Sequence, residues 1–272
     1  QRGDGGHRAV AVIAHLVKRG HIDARNPGRG GEELLLTPAL LPGLAVELDN
    51  LHTHVLPFPQ DEQIHKGILM KIMKTLMKKL NNSLFTAVRN ENGTKTSELF
   101  NGFDTITQKE ITDGNISTAK GNYIEIEEIT SQNAVDILKS VYRAASDELK
   151  NEETKLFIPR TVYDAYCDDY QLTVGAAPYN KAFDKTFVEG SQNMCELVPL
   201  VSKKGSKFFQ LTTKSNMLYG YGNGVEKETI RVRECDNPFL LQFVAALFFG
   251  VDYEYIGEER LLVAKQKDSI GS

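Results

Sequence analysis

The chain has 272 residues, of which 41% are hydrophobic and 25% charged, with a formal net charge of −4. These values suit a globular chain long enough to bury a core in one large domain or two small ones. They give no global pull toward nucleic acid, although a local basic face is compatible with them. No run reaches the about 18 apolar residues of a membrane helix. The longest, Phe239–Val251, is interrupted by Gln242 and reads as buried core. The first residues lack the basic start and apolar block of a secretory signal. Cys167, Cys195 and Cys235 are odd in number and far apart. They offer neither a disulfide framework nor a metal spacing, and read as reduced thiols of a cytosolic chain.

A compositional seam lies near residue 66. All six histidines, His7, His15, His21, His52, His54 and His65, precede it; one lysine precedes it, and twenty follow from Lys66 onward. Residues 1–66 therefore read as a segment of different origin or role. It is open to two readings: a natural domain boundary, or an unrelated leader, fusion or misread start, with Met70 as an internal start. Within it, Val10–Gly20 fits a short helix or strand, Arg25–Gly31 is a loop by its Pro and Gly content, and Glu32–Leu48 is apolar but broken by Pro38 and Pro42. His52-Thr53-His54 would share one face of a strand, but no carboxylate or cysteine partner is fixed nearby, so the pair is a weak metal motif.

Residues 67–272 are better organised. Gly67–Val88 places Ile72, Leu76 and Leu80 at helical steps, with Lys71, Lys74, Lys78 and Lys79 between them, and predicts an amphipathic helix. The stretch NENGTKTSELFNGFDTI (Asn90–Ile106) then predicts a loop that returns to the core through Leu99, Phe100 and Phe103. Lys109–Thr130 reads as polar turns and a short strand at Asn-Tyr-Ile-Glu-Ile. Ser131–Asn151 is the clearest helix, with Ser131 as its cap and Val135, Leu138, Val141 and Tyr142 on the buried stripe. A strand over Thr154–Arg160 and a helix capped by Thr161 and running to Gln171 follow. Glu196–Cys235 is β-rich, and Asn223-Gly224 favours a tight hairpin. Phe239–Phe249 is expected as a helix and Arg260–Gln266 as a final strand. Without a repeated βαβ rhythm, this order predicts an α+β fold.

Catalytic and cofactor motifs are not found. Gly220–Gly224 (GYGNG) lacks the spacing of a nucleotide loop and precedes strand-like sequence. Residues 66–272 hold no histidine, which removes the commonest general base. Carboxylates at Asp168, Asp169, Glu125, Glu127 and Glu128 read as solvated faces. No catalytic residue, cofactor site or metal site is assigned, and the residues argue for a structural or interaction protein rather than an enzyme.

Three stretches, taken together, resemble the major capsid protein of tailed bacteriophages, the Hong Kong-phage-type fold shared with encapsulin shells. The first is MKTLMKKLNNSLF followed by NENGTKTSELF and NGFDTI, similar to a spine helix, its Gly/Asn-rich loop and the re-entry. The second is the helix, strand and short helix of NAVDILKSVYRAASDELKNEETKLFIPRTVYDAYCDDY. The third is the closing section from Cys195 to Ala264, similar to a strand, hairpin, charged strand, apolar helix and late strand. The resemblance covers residues 70–266.

It implies a spine helix at 67–88, an elbow at 89–108, a mainly axial domain at 109–235 and a return to the peripheral domain at 236–272. Gly93 and Gly102 would permit positive φ at the elbow, and Leu99, Phe100 and Phe103 would anchor it. The family's N-terminal arm and extended loop are not identifiable in residues 1–66, which would be a replaced arm or an unrelated leader. The implied function is a structural subunit, of a phage or prophage, that self-assembles through pentamers and hexamers into an icosahedral virion shell in the host cytoplasm. Packaged double-stranded DNA would be a non-specific partner, with Lys71, Lys74, Lys78 and Lys79 as a candidate DNA-facing surface. Portal, scaffold or decoration proteins would be further partners, and a membrane would not. The alternatives are an encapsulin-like nanocompartment and a small cytosolic enzyme using carboxylates.

Overall fold

The computed structural model describes residues 12–16, 62–180, 185–221, 230–234, 241–247 and 249–267. Strand β1 (Val12–Leu16) comes first, within the stretch left open between helix and strand. The paired histidines at 52 and 54, Cys235 and the Asn223-Gly224 turn lie outside the described residues. Helix α1 spans Glu62–Ser83, starting before the compositional seam and running through it. It ends earlier than the expected Val88, because Leu84 and Phe85 turn into the core and are buried there.

Helix α2 (Phe103–Thr112) occupies residues read as the end of the elbow and the polar turns after it. The signals were Gly102 at its N-cap and Asp104 in its first turn, where an acid complements the helix dipole. Strand β2 is Tyr123–Ile126. The helix expected over Ser131–Asn151 is two: α3 (Ala134–Ala144), with Asn133 rather than Ser131 at its N-cap, and the single turn α4 (Asp147–Lys150). The break has a physical cause at Ser146. Its Oγ accepts from Leu149 N at 3.2 Å and donates to the Glu258 carbonyl at 2.9 Å, so it caps a new turn.

Strand β3 (Thr154–Pro159) leads directly into α5 (Arg160–Val174), whose N-cap is Pro159 rather than Thr161. The short pair β4 (Tyr179–Asn180) and β5 (Lys185–Thr186) precedes β6 (Cys195–Leu200) and β7 (Phe208–Thr212). Strands β8 (Met217–Tyr221), β9 (Ile230–Glu234), β10 (Leu241–Leu247), β11 (Phe249–Tyr253) and β12 (Leu261–Gln266) complete the described chain. Of the expected helix at Phe239–Phe249, the described residues Leu241–Leu247 form β10 and Phe249 opens β11. A short apolar run fits a buried strand as well as a helix, and here strand partners decide. Strand β8 pairs with β11, and β9 pairs with β10, which in turn pairs with β1.

The centre is a five-stranded sheet in the order β2-β12-β7-β3-β6. Strand β7 is antiparallel to both neighbours, and the other pairings are parallel. The late strand β12 sits inside this sheet, between β2 and β7. Both faces are covered, which explains the near-continuous apolar runs of β3 and β12. Leu156, Ile158, Phe209, Leu211, Leu262 and Ala264 face α3 and α5. Phe157, Val198, Leu261 and Val263 face the other way, into a core closed by Leu80, Leu84, Phe85, Phe100, Phe103 and Tyr253. The elbow lies on this second face.

Candidate functional site

The elbow is built by its backbone. After α1, Ala87 N bonds Ser83 O at 2.9 Å. The loop closes on itself through Val88 N to Ser97 O and Asn90 N to Glu98 O, both 2.9 Å. Glu98 Oε2 accepts from the amides of Thr94 and Lys95 at 3.0 and 2.9 Å. The chain then returns beside its own outgoing segment. Gly102 N bonds Ala87 O at 2.8 Å, Phe103 N bonds Leu84 O at 3.2 Å and Asp104 N bonds Phe85 O at 3.0 Å. Thr105 Oγ1 adds a bond to Ala87 O at 2.7 Å.

Neither elbow glycine needs positive φ, contrary to expectation. Gly102 has φ −79° and ψ 172°, which any residue adopts. Among the described residues, positive φ occurs instead at Gly114, Gly121, Gly175, Gly190, Gln192, Asn193 and Gly205. What excludes a side chain is space: a Cβ at Gly102 would collide with the Phe85 carbonyl, and one at Gly93 would lie 2.5 Å from Glu98 Cβ. Phe100 and Phe103 are buried, and Leu99 is half-buried against the same core. The Phe103 ring lies 5.2 Å from Phe85 and 5.1 Å from Tyr253, and Phe100 meets Phe249 edge-on at 4.9 Å. Such offset and edge contacts suit the aromatic quadrupole.

Sequence reasoning missed the polar centre beneath the elbow. Lys203 is 0% exposed, in the 3₁₀ turn Val201–Lys203. Its Nζ donates to Asp104 Oδ1 at 3.0 Å and to Gln210 Oε1 at 2.6 Å. Gln210 Nε2 donates to the same Asp104 oxygen at 2.8 Å. The ammonium also stands 4.4 Å above the Phe85 ring centre, a cation–π contact in a dry setting. Burial pulls the Lys203 pKa down, against the opposing pull of the Asp104 charge and hydrogen bond. Tyr253 beside it bonds Thr107 through its hydroxyl at 3.1 Å. Burial pushes its pKa up, the Thr107 bond opposes this and the Asp104 charge reinforces it. Asp104 Oδ2 is buried without a hydrogen-bond partner among the described residues. One clue was legible: Gln210 interrupts the apolar run Phe-Phe-Gln-Leu of a strand buried on both faces, and a buried amide needs a partner.

This triad ties α2, the Val201–Lys203 turn and β7 into one unit under the elbow. Each of its charged groups faces the other, and the buried lysine is held rather than presented to a ligand. Lys71, Lys74, Lys78 and Lys79 are all exposed on α1, and none is ion-paired with a described residue. They stand apart from the triad. Among the described residues, no group of three His, Cys, Asp or Glu could hold a metal ion, and no helix is long and apolar enough to cross a membrane.

No protein-family model matches the chain, and no curated protein matches it. Solved structures do. The chain is similar to the SrpI encapsulin of Synechococcus elongatus PCC 7942, at 11% identity and TM-score 0.46, covering 94% of this chain and 72% of that one. It is similar to the capsid of the native GTA particle, at 11% identity and TM-score 0.43, covering 97% and 86%. It is also similar to the satellite phage P4 procapsid, at 12% identity and TM-score 0.43, covering 82% and 72%.

Proposed function

We propose that the chain is a structural subunit that self-associates into a closed shell. The observation that carries the reading is the elbow. A 22-residue helix with an exposed lysine face joins the central sheet through its last turns and a backbone-bonded re-entry, over the buried triad of Lys203, Asp104 and Gln210. Such a joint holds a helical arm at a fixed angle to a sheet domain, and repeated interfaces of fixed geometry are what close a shell by symmetry. The sequence resemblance implies the same order of helix, elbow and sheet domain. At the solvent end of α5, Leu172 is 76% and Val174 55% exposed, apolar surface that a neighbouring copy would cover.

The finer reading is a phage or prophage capsid that encloses double-stranded DNA, and its role is structural rather than catalytic. Negative-stain microscopy of the purified chain tests the shell, with closed particles or rings as the expected result. Nuclease-protected DNA inside particles from the producing cells supports the viral reading. A protein cargo in its place supports a nanocompartment.

A further inference from the structure

From Lys66 to its end at Ser83, α1 carries lysines and no acid, so its charge is not neutralised along the helix. Carboxylates gather elsewhere in the fold. Three turns gather carboxylates: the first turn of α4, the Glu152-Glu153 pair before β3, and Gly257–Arg260 before β12. The Ser146 Oγ bond to the Glu258 carbonyl, at 2.9 Å, holds the first against the third. Asp147 is taken by Lys150 at 2.9 Å and Glu152 by Arg260 at 3.3 Å. Glu148, Glu153, Glu258 and Glu259 remain exposed and in no ion pair with a described residue.

The sheet register places the two charge sets at opposite ends. Strands β3 and β12 begin at Thr154 and Leu261, on the carboxylate end, where Lys155 and Leu261 pair with Thr212 at the close of β7. Helix α1 meets the fold at the other end, against the Val201–Lys203 turn that follows the last residue of β6. A copy is thereby complementary to the next copy, head to tail. Such a contact is heterologous, and it closes into a ring when its rotation allows. Charge pairs of this kind fix register and speed association.

We propose that the lysine face of α1 in one copy docks on the carboxylate end of the next, formed by Glu148, Glu153, Glu258 and Glu259. The proposal rests on the shell reading and names the contact that reading leaves open. The test mixes isotope-labelled and unlabelled full-length chain, treats it with a zero-length carbodiimide and reads the links by mass spectrometry, with light scattering in parallel. Mixed-label links between α1 lysines and these glutamates are expected. Lys74→Glu with Lys78→Glu should cut them at least tenfold, and adding Glu148→Lys with Glu259→Lys should restore association. All four positions are exposed, so the fold is spared. Assemblies without these links overturn the inference and leave the shell reading standing. A chain that neither assembles nor cross-links overturns both. If the lysine reversals leave assembly intact but abolish binding of a short DNA duplex, the face serves nucleic acid and the inference fails.

Discussion

Lys203 Nζ lies 3.0 Å from Asp104 Oδ1, and the two residues are 99 positions apart in the chain. The pair joins the first turn of α2 to the turn before β7, at the point where the elbow re-enters the core. Removing one member leaves the other charge buried and unpaired, at a cost of about 3–5 kcal/mol. Asp104→Ala should therefore lower the urea midpoint strongly. The double variant Asp104→Leu with Lys203→Met should recover most of the loss, since an apolar replacement of a buried pair is often neutral. Equal losses in the single and double variants would contradict the pairing.

Gly102 separates two explanations of the elbow. Its φ of −79° suits alanine, so a purely conformational role predicts a neutral Gly102→Ala. The collision with the Phe85 carbonyl predicts a loss of roughly 1–3 kcal/mol or more by overpacking. Phe103→Ala, which empties a ring site 2% exposed, should cost about 3–5 kcal/mol. Chemical unfolding of each variant measures these losses.

Much of this was legible from local pattern. The stripe of Val135, Leu138, Val141 and Tyr142 gave α3, and the aromatics Phe100 and Phe103 gave the buried return of the elbow. What was not legible depends on partners distant in sequence. Leu241–Leu247 is a strand because β9 and β1 flank it, which periodicity in an apolar run does not encode. Gly102 was read as a conformational residue because a sequence shows flexibility but not the carbonyl opposite. The burial of Lys203 is not legible locally, because its partners come from positions 104 and 210.

Glu196 makes a pH-dependent contribution. Burial raises its pKa, but hydrogen bonds and charges from Lys155 at 2.7 Å and Lys185 at 3.1 Å outweigh this and hold it below the ordinary 4.5. A carboxylate depressed in the folded state adds stability above its unfolded value, and loses it as pH falls through the folded one. Wild type should exceed Glu196→Gln by about 1 kcal/mol at neutral pH, and the two should converge below the depressed value. A gap that persists in acid would assign the effect to packing instead.

Cys195 offers a check on the sheet itself. It is 0% exposed at the start of β6, and burial pushes its thiol up to about 12. Cys167 on α5 is only half-buried. Native protein treated with iodoacetamide at neutral pH should be alkylated at Cys167 long before Cys195, by peptide mass spectrometry. Fast labelling of Cys195 would mean that β6 is not buried as described.

The central claim is that this chain associates with itself into a closed particle. Sizing by multi-angle light scattering over a range of concentrations tests it most directly. The account predicts a discrete species of closed particles, far above the 30.3 kDa of one chain and sharpened by moderate rather than high salt. A folded chain that stays at 30.3 kDa at every concentration would contradict it.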